Sequence, residues 1–509
     1  MSKHEQLMNQ SLRANALNTV RQMEGFSLYE DSVHEDGSNL LCIAKKGNDK
    51  YLMVLPREGK EPESDFDGEV VQVGKNAVLK CELTHENANF LRSKFDFTNA
   101  VRIGKMDSYG FGDRLGNASP AHLRAVRGTG FKPVLAQQSI RELERTNRTP
   151  EEVMDAASWA VFQEGYHLGF GADGDHLKTT DDIDVMVKAG YTMFTIDPSD
   201  FVVNEVKTMD SEKLKTDFEK LPWNKLEDKP EAFLKRLKTE EVQLRSGLSI
   251  SVSENEILQG MVKYGRVIAH TKQMANYLAD KYPDHPVELE LSVDETEAPT
   301  TLFEHYLVAS ELDRLGVELV SLAPRFCGDF EKGIDFKGDL EQFRKEYVEH
   351  LAIADTFGGY KLSIHSGSDK FSVYEVVGAL DLGAVHIKTA GTSYLEALRT
   401  IAVCKPDLFR DVMSFSIKRF NEDKKTYHIS ADISQIEDPA KVDEDELPEY
   451  LDDNHARQVL HVAYGSVLSG EFPEARNFKN QLMTALEEHE DLHYKNLLEH
   501  FDKHLRPFE

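Results

Sequence analysis

Residues 167–197 read "HLGFGADGDHLKTTDDIDVMVKAGYTMFTID" and contain one complete strand–helix–strand unit. The run 167–173 predicts a strand, and the run 191–197 predicts the next one. Between them, "TTDDIDVMVKAG" predicts a helix, because Thr179 stands three residues before Asp182, a spacing typical of a capped helix start. This order of elements favours a pair of parallel strands joined by a helical crossover.

The same alternation extends through the middle of the chain. Polar residues followed by proline, at Ser119-Pro120 and Thr149-Pro150, mark further helix starts. Eight parallel strands alternating with eight helices predict an α/β fold of the (β/α)8 TIM-barrel type. A doubly wound open sheet is the alternative, because periodicity does not reveal whether a sheet closes. The strands are predicted at 101–106, 132–137, 167–173, 191–197, 286–294, 317–324, 360–365 and 384–389.

Segments of different character flank and interrupt the predicted barrel. Residues 1–95 combine a helical start with alternating stretches and turns, and predict a small N-terminal α+β domain rich in β-strands. The barrel is assigned to 96–400, with a charged helical insertion after strand 4, at 199–285, on its catalytic rim. Residues 401–509 predict a mostly helical C-terminal extension with one strand-like stretch, "TYHISADI".

Composition excludes several classes of partner. The net charge of −29 would repel nucleic acid and anionic membrane surfaces. The N-terminus is polar, and the sequence contains no apolar run near the roughly 18 residues that a membrane span requires. The four cysteines are far apart, which favours a reducing compartment. We therefore expect a cytoplasmic protein without a nucleic-acid or membrane partner, and a homo-oligomer is one option for its assembly.

The predicted strand ends carry many ionisable residues, and barrel active sites lie at those ends. The stretch "GADGDHLK" places carboxylates beside an imidazole, a mixture of ligands suited to a divalent ion such as Zn, Mn, Co or Ni. His176, Asp294 and His365 are the predicted metal ligands. The alternative for this stretch is a polar turn that caps the next helix.

The glycine-rich loop "YGFGDRLG", at 109–116, resembles a phosphate-binding turn. It is a poor dinucleotide fingerprint, because the helix begins later and the next strand ends in "LAQQS" without an acid. Arg114 in this loop could instead bind a carboxylate through two parallel hydrogen bonds, which suggests an organic-acid substrate. Pairing with Asp107 or Asp113 is the structural alternative. The predicted substrate-binding residues are Arg114, Gln138, Arg325, Ser366 and Thr392.

Lys388 and His386 share one face of the last predicted strand. Lys388 is expected at the barrel mouth, as an anion clamp, an acid or base, or a Schiff-base amine. A salt bridge to an Asp of a neighbouring strand is the structural alternative. His386 lies deeper in the strand and is expected to be a core histidine.

Six motifs together resemble the tagaturonate epimerases, bacterial enzymes that interconvert tagaturonate and fructuronate. The resemblance covers about residues 100–400 and implies a metal-dependent barrel enzyme acting on a keto-uronic acid. This agrees with the carboxylate substrate and divalent ion expected from the residues. The motifs are "GFGDRLG", "GFGADGDHLKT", "FTIDPSD", "LSVDETEAPTT", "LSIHSGSDKFSVY" and "HIKTAGTSYLEALR".

The resemblance also constrains the chemistry. The two sugars differ at a carbon that is not adjacent to the ketone, so enolisation cannot invert it. Either the neighbouring C–C bond breaks and re-forms, or the carbinol is transiently oxidised. The retro-aldol route is expected, with Asp175, Asp197 or Lys388 as the base. Alternatives are another metal-dependent sugar isomerase or aldolase, and a non-catalytic sugar-acid binding protein.

Overall fold

The computed structural model describes residues 3–37, 39–56, 62, 64–237 and 241–509. Its N-terminal part is an antiparallel sheet in the order β1-β3-β4-β6-β5, with β2 paired to β3. Helix α1, Lys3–Arg21, precedes the sheet, and helix α2, His85–Lys94, follows it. The strands are β1 Phe26–Leu28, β2 His34–Asp36, β3 Asn39–Lys46, β4 Asp49–Pro56, β5 Glu69–Val73 and β6 Asn76–Glu82.

The middle of the chain forms a closed barrel of eight parallel strands, which confirms the predicted fold class. Going round the barrel, the order is β7-β8-β9-β10-β13-β14-β15-β16, and β16 pairs with β7. Strands β11 and β12 form a separate hairpin. The strands are β7 Ser108–Phe111, β8 Lys132–Ser139, β9 Gly171–Leu177, β10 Met193–Ile196, β11 Glu241–Gln243, β12 Ser249–Ser251, β13 Glu288–Val293, β14 Ser321–Pro324, β15 Lys361–Gly367 and β16 Val385–Thr389.

Helices surround the barrel and continue beyond it. Thr149 and Thr179 each form a capping box with the residue three positions later, as their spacing predicts. Ser119 differs, because its helix begins at Ser119 itself without a side-chain cap. The helices are α3 Ser119–Val126, α4 Ile140–Thr146, α5 Pro150–Gln163, α6 Thr180–Lys188, α7 Ser211–Glu219, α8 Pro230–Leu237, α9 Glu254–Lys281, α10 Leu302–Arg314, α11 Leu340–Thr356, α12 Phe371–Leu380, α13 Thr392–Cys404, α14 Pro406–Asp423, α15 Asn454–Leu468, α16 Phe478–Glu488 and α17 Glu490–Leu505.

The predicted first strand is wrong in its position. Residues 101–106 are not a strand, and the first barrel strand is β7, Ser108–Phe111. The backbone NH groups of Ile103 and Gly104 donate to the carboxylate of Glu288, near the N-terminal end of β13. This apolar segment is therefore a loop at the end of the barrel opposite the predicted mouth. The stretch "TYHISADI" is also not a strand; it is irregular, with short 3₁₀ turns.

The segment 199–285 includes more than an insertion. Its long last helix, α9, packs against α10 and α6. Helix α9 therefore occupies the position of the barrel helix that connects β10 to β13. Helices α7 and α8 and the β11–β12 hairpin precede it. No helix in the described part of the chain is long and apolar enough to cross a membrane.

Helix α17 completes the outer layer over β7. It packs against α3 and α13, and Phe501 contacts Phe111 edge-on, with ring centroids 5.0 Å apart. Phe111 therefore points outward from the barrel to this helix.

Candidate active site

The barrel interior is centred on a buried ion cluster around Lys388 of β16. The ammonium nitrogen lies 2.6 Å from both Asp173 Oδ2 and Asp175 Oδ1 of β9, and 3.2 Å from Glu290 Oε1 of β13. It also donates to Thr195 Oγ1 at 2.8 Å. One amine therefore links its own strand, β16, to β9, β10 and β13.

The metal ligands predicted from the sequence come together beside this cluster. His176, Asp294 and His365 each offer one ligand atom, and the three atoms lie within 4.8 Å of one another. The rings of His176 and His365 have centroids 5.3 Å apart, and His365 Nδ1 lies 3.3 Å from Asp294 Oδ1. Strands β9, β13 and β15 thus supply one side chain each at the C-terminal end of the barrel.

Irregular backbone explains why neighbouring residues of β9 both face this site. In a regular strand Asp175 and His176 would point to opposite faces. The pairing of β9 with β10 shifts register at this position, and His176 has a φ of 53°. Left-handed backbone is costly for a histidine, and β-bulges are frequent beside active sites, where they redirect side chains. The bulge turns both side chains toward the mouth.

The surroundings of the two histidines fit a metal centre. His176 donates from Nδ1 to Asp175 at 2.7 Å, and His365 donates from Nε2 to Glu290 at 2.7 Å. A histidine that binds a metal commonly donates its other ring NH to a carboxylate, which fixes the ring orientation. In this arrangement Nε2 of His176 and Nδ1 of His365 are the ring nitrogens that could bind a metal ion together with Asp294.

Opposite charges determine the protonation states in the cluster. Burial would lower the pKa of Lys388, but Asp173, Asp175 and Glu290 outweigh it and hold that pKa well above its usual value. Burial would likewise lower the pKa of His176, yet Asp175 raises it to about 10. Lys388 is therefore a permanent cation, which favours a clamp or donor role over a Schiff-base amine or a base.

A cavity of about 520 Å³ opens beside the predicted metal ligands Asp294 and His365. Arg325 lines it, and its Nη1 donates to the carbonyl of Thr296. The wall also includes Thr426, Tyr427 and His428 from the C-terminal extension, so His428, which follows the barrel in sequence, reaches the mouth in space. The volume is sufficient for a six-carbon sugar acid.

The side chains of Arg114 and Gln138 form hydrogen bonds with other groups of the protein. Arg114 is 2% exposed, donates to Glu142 at 3.0 Å and 3.1 Å, and stacks on Tyr464. Gln138 donates to the carbonyl of Asp113 at 2.9 Å. A substrate carboxylate would have to displace Glu142 from Arg114, so the geometry argues against this predicted substrate contact.

The backbone NH groups of the glycine-rich loop donate hydrogen bonds to a carboxylate within the loop. The carboxylate of Asp113 accepts the NH groups of Gly116 at 2.7 Å and Ala118 at 2.9 Å, and that of Leu115 at 3.3 Å. Amides that could cradle a phosphate are therefore used to hold the turn before α3. Gly116 belongs to this turn, with a φ of 86°, whereas Gly110 and Gly112 lie where a Cβ would meet Gln137 and the carbonyl of Thr389.

Three further predicted site residues have internal partners. Ser366 is fully buried and donates to the carbonyl of Lys388 at 2.8 Å. Thr392 donates to Asp369 at 3.3 Å, in a different cluster. Asp197 follows β10, accepts the NH of Ser199 at 2.9 Å and is 5% exposed. Their predicted roles in binding or catalysis remain predictions.

Sequence reasoning missed Glu290 as a site residue. It is fully buried in β13 and bonds Lys388, His365 and Ser321, the last at 2.5 Å. The signal was present in "ELELSVD", because a glutamate inside a predicted buried strand needs a charged partner. His386 behaves as expected of a core histidine, fully buried, with Nδ1 2.9 Å from Ser108 Oγ.

Comparison with known proteins now identifies the family. A family model described as tagaturonate epimerase, UxaE, matches residues 29–508. The chain belongs to the tagaturonate epimerase family. The resemblance seen in the six sequence motifs is thereby confirmed, and it extends to the N-terminal sheet and the C-terminal helices.

Relatives of this family match along almost their whole length. The tagaturonate/fructuronate epimerase of Thermotoga maritima is 41% identical over 486 residues, which is 94% of this chain and 96% of the relative. The native crystal structure of the fructuronate-tagaturonate epimerase UxaE from Cohnella laeviribosi has a TM-score of 0.88 at 38% identity, covering 97% of this chain and 99% of that one. A glycerol complex of the same enzyme has a TM-score of 0.87 at 37% identity, covering 100% and 99%.

Proposed function

We propose that this protein interconverts D-tagaturonate and D-fructuronate, using a divalent metal ion held by His176, Asp294 and His365. The observation that carries the proposal is the convergence of these three side chains, each of the histidines donating its other ring NH to a carboxylate. Family membership supports the substrate pair. The cavity beside Asp294 and His365 supports binding of the sugar acid at this end of the barrel.

The proposed reaction breaks and re-forms one C–C bond. The hydroxyl on the inverted carbon loses its proton, the bond to the carbon next to the ketone breaks, and the released electron pair moves toward the ketone. The aldehyde fragment rotates, and re-addition returns the proton to the new hydroxyl. A divalent ion supplies positive charge for the ketone oxygen when bound.

Asp175 is the proposed base for the hydroxyl proton. It contacts both His176 and Lys388, so its carboxylate is held in one orientation beside the proposed ligands. His176 and Lys388 hold the pKa of Asp175 well below its usual value despite its burial, and Lys388 can stabilise negative charge that develops nearby. Asp197, at the end of β10, is the alternative base. Arg325 in the cavity wall is proposed to contact the anionic end of the sugar.

Isotope effects test the bond that breaks. Substrate carrying 13C at either carbon of the scissile bond should react measurably more slowly, and deuterium on the inverted carbon should cause only a small secondary effect. A large primary deuterium effect at that carbon would contradict the retro-aldol route, because it would mean that the C–H bond breaks, as in transient oxidation.

Dependence on the three ligands is tested separately. Protein purified with and without a chelator is incubated with tagaturonate, and fructuronate is quantified. We expect product only in the untreated sample, with recovery when a divalent ion is returned. His365→Gln should lose activity and the metal bound at the barrel mouth, whereas His489→Gln, a matched change at the start of α17, should retain both. Full activity after complete metal removal would rule out the metal's role.

A further inference from the structure

A second group of potential metal ligands lies outside the barrel mouth, where the C-terminal helix meets the barrel. Asp369 follows β15, and His500 and His504 are one turn apart on α17. One ligand atom from each lies within 4.8 Å of the other two, and all three side chains are buried. This group shares no residue with the proposed catalytic ligands.

The donor atoms converge on a single carboxylate oxygen. His500 Nε2 lies 2.9 Å and His504 Nε2 3.0 Å from Asp369 Oδ1, and Thr392 Oγ1 lies 3.3 Å from the same atom. Ligands at about 2.0–2.1 Å from a tetrahedral zinc ion are separated from one another by roughly 3.3 Å. A small shift of the side chains would therefore seat an ion among these four atoms.

The remaining polar atoms of the three residues already have partners. His500 Nδ1 lies 3.1 Å from Glu396 Oε1, and His504 Nδ1 contacts the hydroxyl of Tyr109. The other oxygen of Asp369 accepts a hydrogen bond from Arg457. Ligand side chains oriented by outer hydrogen bonds in this way are characteristic of metal centres.

We propose that Asp369, His500 and His504 bind a structural zinc ion that fastens α17 to the barrel, with Thr392 in the fourth position. Two imidazoles and one carboxylate suit zinc, and four protein ligands typify a closed structural site. The ion would join the β15–α12 loop, the start of α13 and the C-terminal helix. On this inference, Thr392 is a structural ligand and not a substrate contact.

Crystallography of the unmodified protein grown with zinc tests the site directly. Diffraction data collected above and below the zinc absorption edge should give an anomalous peak within bonding distance of Asp369 Oδ1, His500 Nε2 and His504 Nε2. Absence of that peak in zinc-saturated crystals would overturn the proposal. The cluster would then be a hydrogen-bond network without a metal ion.

Metal stoichiometry in solution separates this site from the catalytic one. Zinc-saturated protein, freed of excess ion, should contain two equivalents per chain, and His500→Gln and His365→Gln should each contain one. His489→Gln is the control and should retain two. The proposal would be overturned if the unmodified protein bound one equivalent of zinc, His365→Gln bound none and His500→Gln still bound one. One equivalent that is lost in His500→Gln and kept in His365→Gln would support the structural site, and would contradict the proposed catalytic metal.

Discussion

At the residue scale, the candidate site depends on the balance of charge around Lys388. Three carboxylates from two strands surround one ammonium group, and all of these side chains are nearly inaccessible to solvent. Removing one partner of a buried ion cluster leaves uncompensated charge, which costs far more than a surface salt bridge is worth. Lys388 therefore contributes both to stability and to the orientation of Asp175.

Lys388→Met should impair both properties. Asp173, Asp175 and Glu290 would repel one another without their common cation, so we expect a loss of about 3–5 kcal/mol in the free energy of unfolding. Catalysis should fall by at least about 100-fold, because the proposed base loses its orientation. Urea denaturation and steady-state kinetics measure the two effects.

The control for this variant is the same substitution at a lysine that is exposed to solvent. Lys495→Met removes a charge paired with Glu499 on an exposed surface of α17, and should change stability by less than about 0.5 kcal/mol. If Lys388→Met were as active and as stable as Lys495→Met, the cluster would have no role in either property.

At the element scale, the helix caps are local features and could be predicted from the sequence. Thr179 accepts the NH of Asp182 at 3.2 Å, and Asp182 accepts the NH of Thr179 at 2.9 Å, as the four-residue pattern indicates. The bulge in β9 could not be predicted in this way. It depends on the pairing of β9 with β10, whose residues are distant from it in sequence.

Thr179→Ala should destabilise the protein without changing its chemistry. Loss of the cap leaves a helix NH group without its side-chain acceptor, at a cost of about 1 kcal/mol. Thr180→Ala, one residue further into the same helix, is the matched control and should cost less. The urea midpoints of the two variants give the comparison. A midpoint for Thr179→Ala equal to that of Thr180→Ala would show that the cap contributes no stability.

At the scale of the whole molecule, Glu490 of α17 links the N-terminal sheet to the C-terminal helices. Its carboxylate lies 2.5 Å from Lys50 Nζ and 3.2 Å from Lys45 Nζ, and accepts the hydroxyl of Tyr29 at 2.6 Å. Burial would raise the pKa of Glu490, but Lys50 and these hydrogen bonds lower it to about 2. The carboxylate is therefore ionised at neutral pH in the folded protein.

This lowered pKa predicts how stability depends on pH. A group whose folded pKa lies below its unfolded value of 4.5 stabilises the fold fully above about pH 4.5. That stabilisation, on the order of 3 kcal/mol, is lost as the pH falls from about 4.5 toward 2. Glu490→Gln should therefore lower the urea midpoint at pH 7 and reduce the loss of stability on acidification through this range.

An exposed glutamate provides the comparison for this linkage. Glu474→Gln lies on the surface between α15 and α16 and should follow the unmodified protein at every pH. If Glu490→Gln and the unmodified protein showed the same difference in stability at pH 7 and pH 3, the contribution of Glu490 would not depend on its ionisation.

The sequence by itself predicted the barrel, the N-terminal sheet, the C-terminal helices and the capped helices at Thr149 and Thr179. It also grouped the three proposed metal ligands, whose role stays a prediction. These inferences depend on periodicity and on short-range spacing, and on the rule that parallel strands present their C-terminal ends at one edge. His176, Asp294 and His365 could be grouped because each was predicted near such an end. The first strand was misplaced because the apolar loop 101–106 has the same composition as a strand.

Only the tertiary structure decided which polar residues are used by the protein itself. Arg114 and Thr392 were predicted to contact substrate, and in the structure they donate hydrogen bonds to Glu142 and Asp369 of other elements, while their predicted roles stay predictions. Glu290 was recognised as a site residue only in the structure, because its partners Lys388 and His365 lie about 75–98 positions away along the chain. Local sequence fixes which backbone a segment prefers, whereas the pairing of buried charges depends on which distant segments the closed barrel brings together.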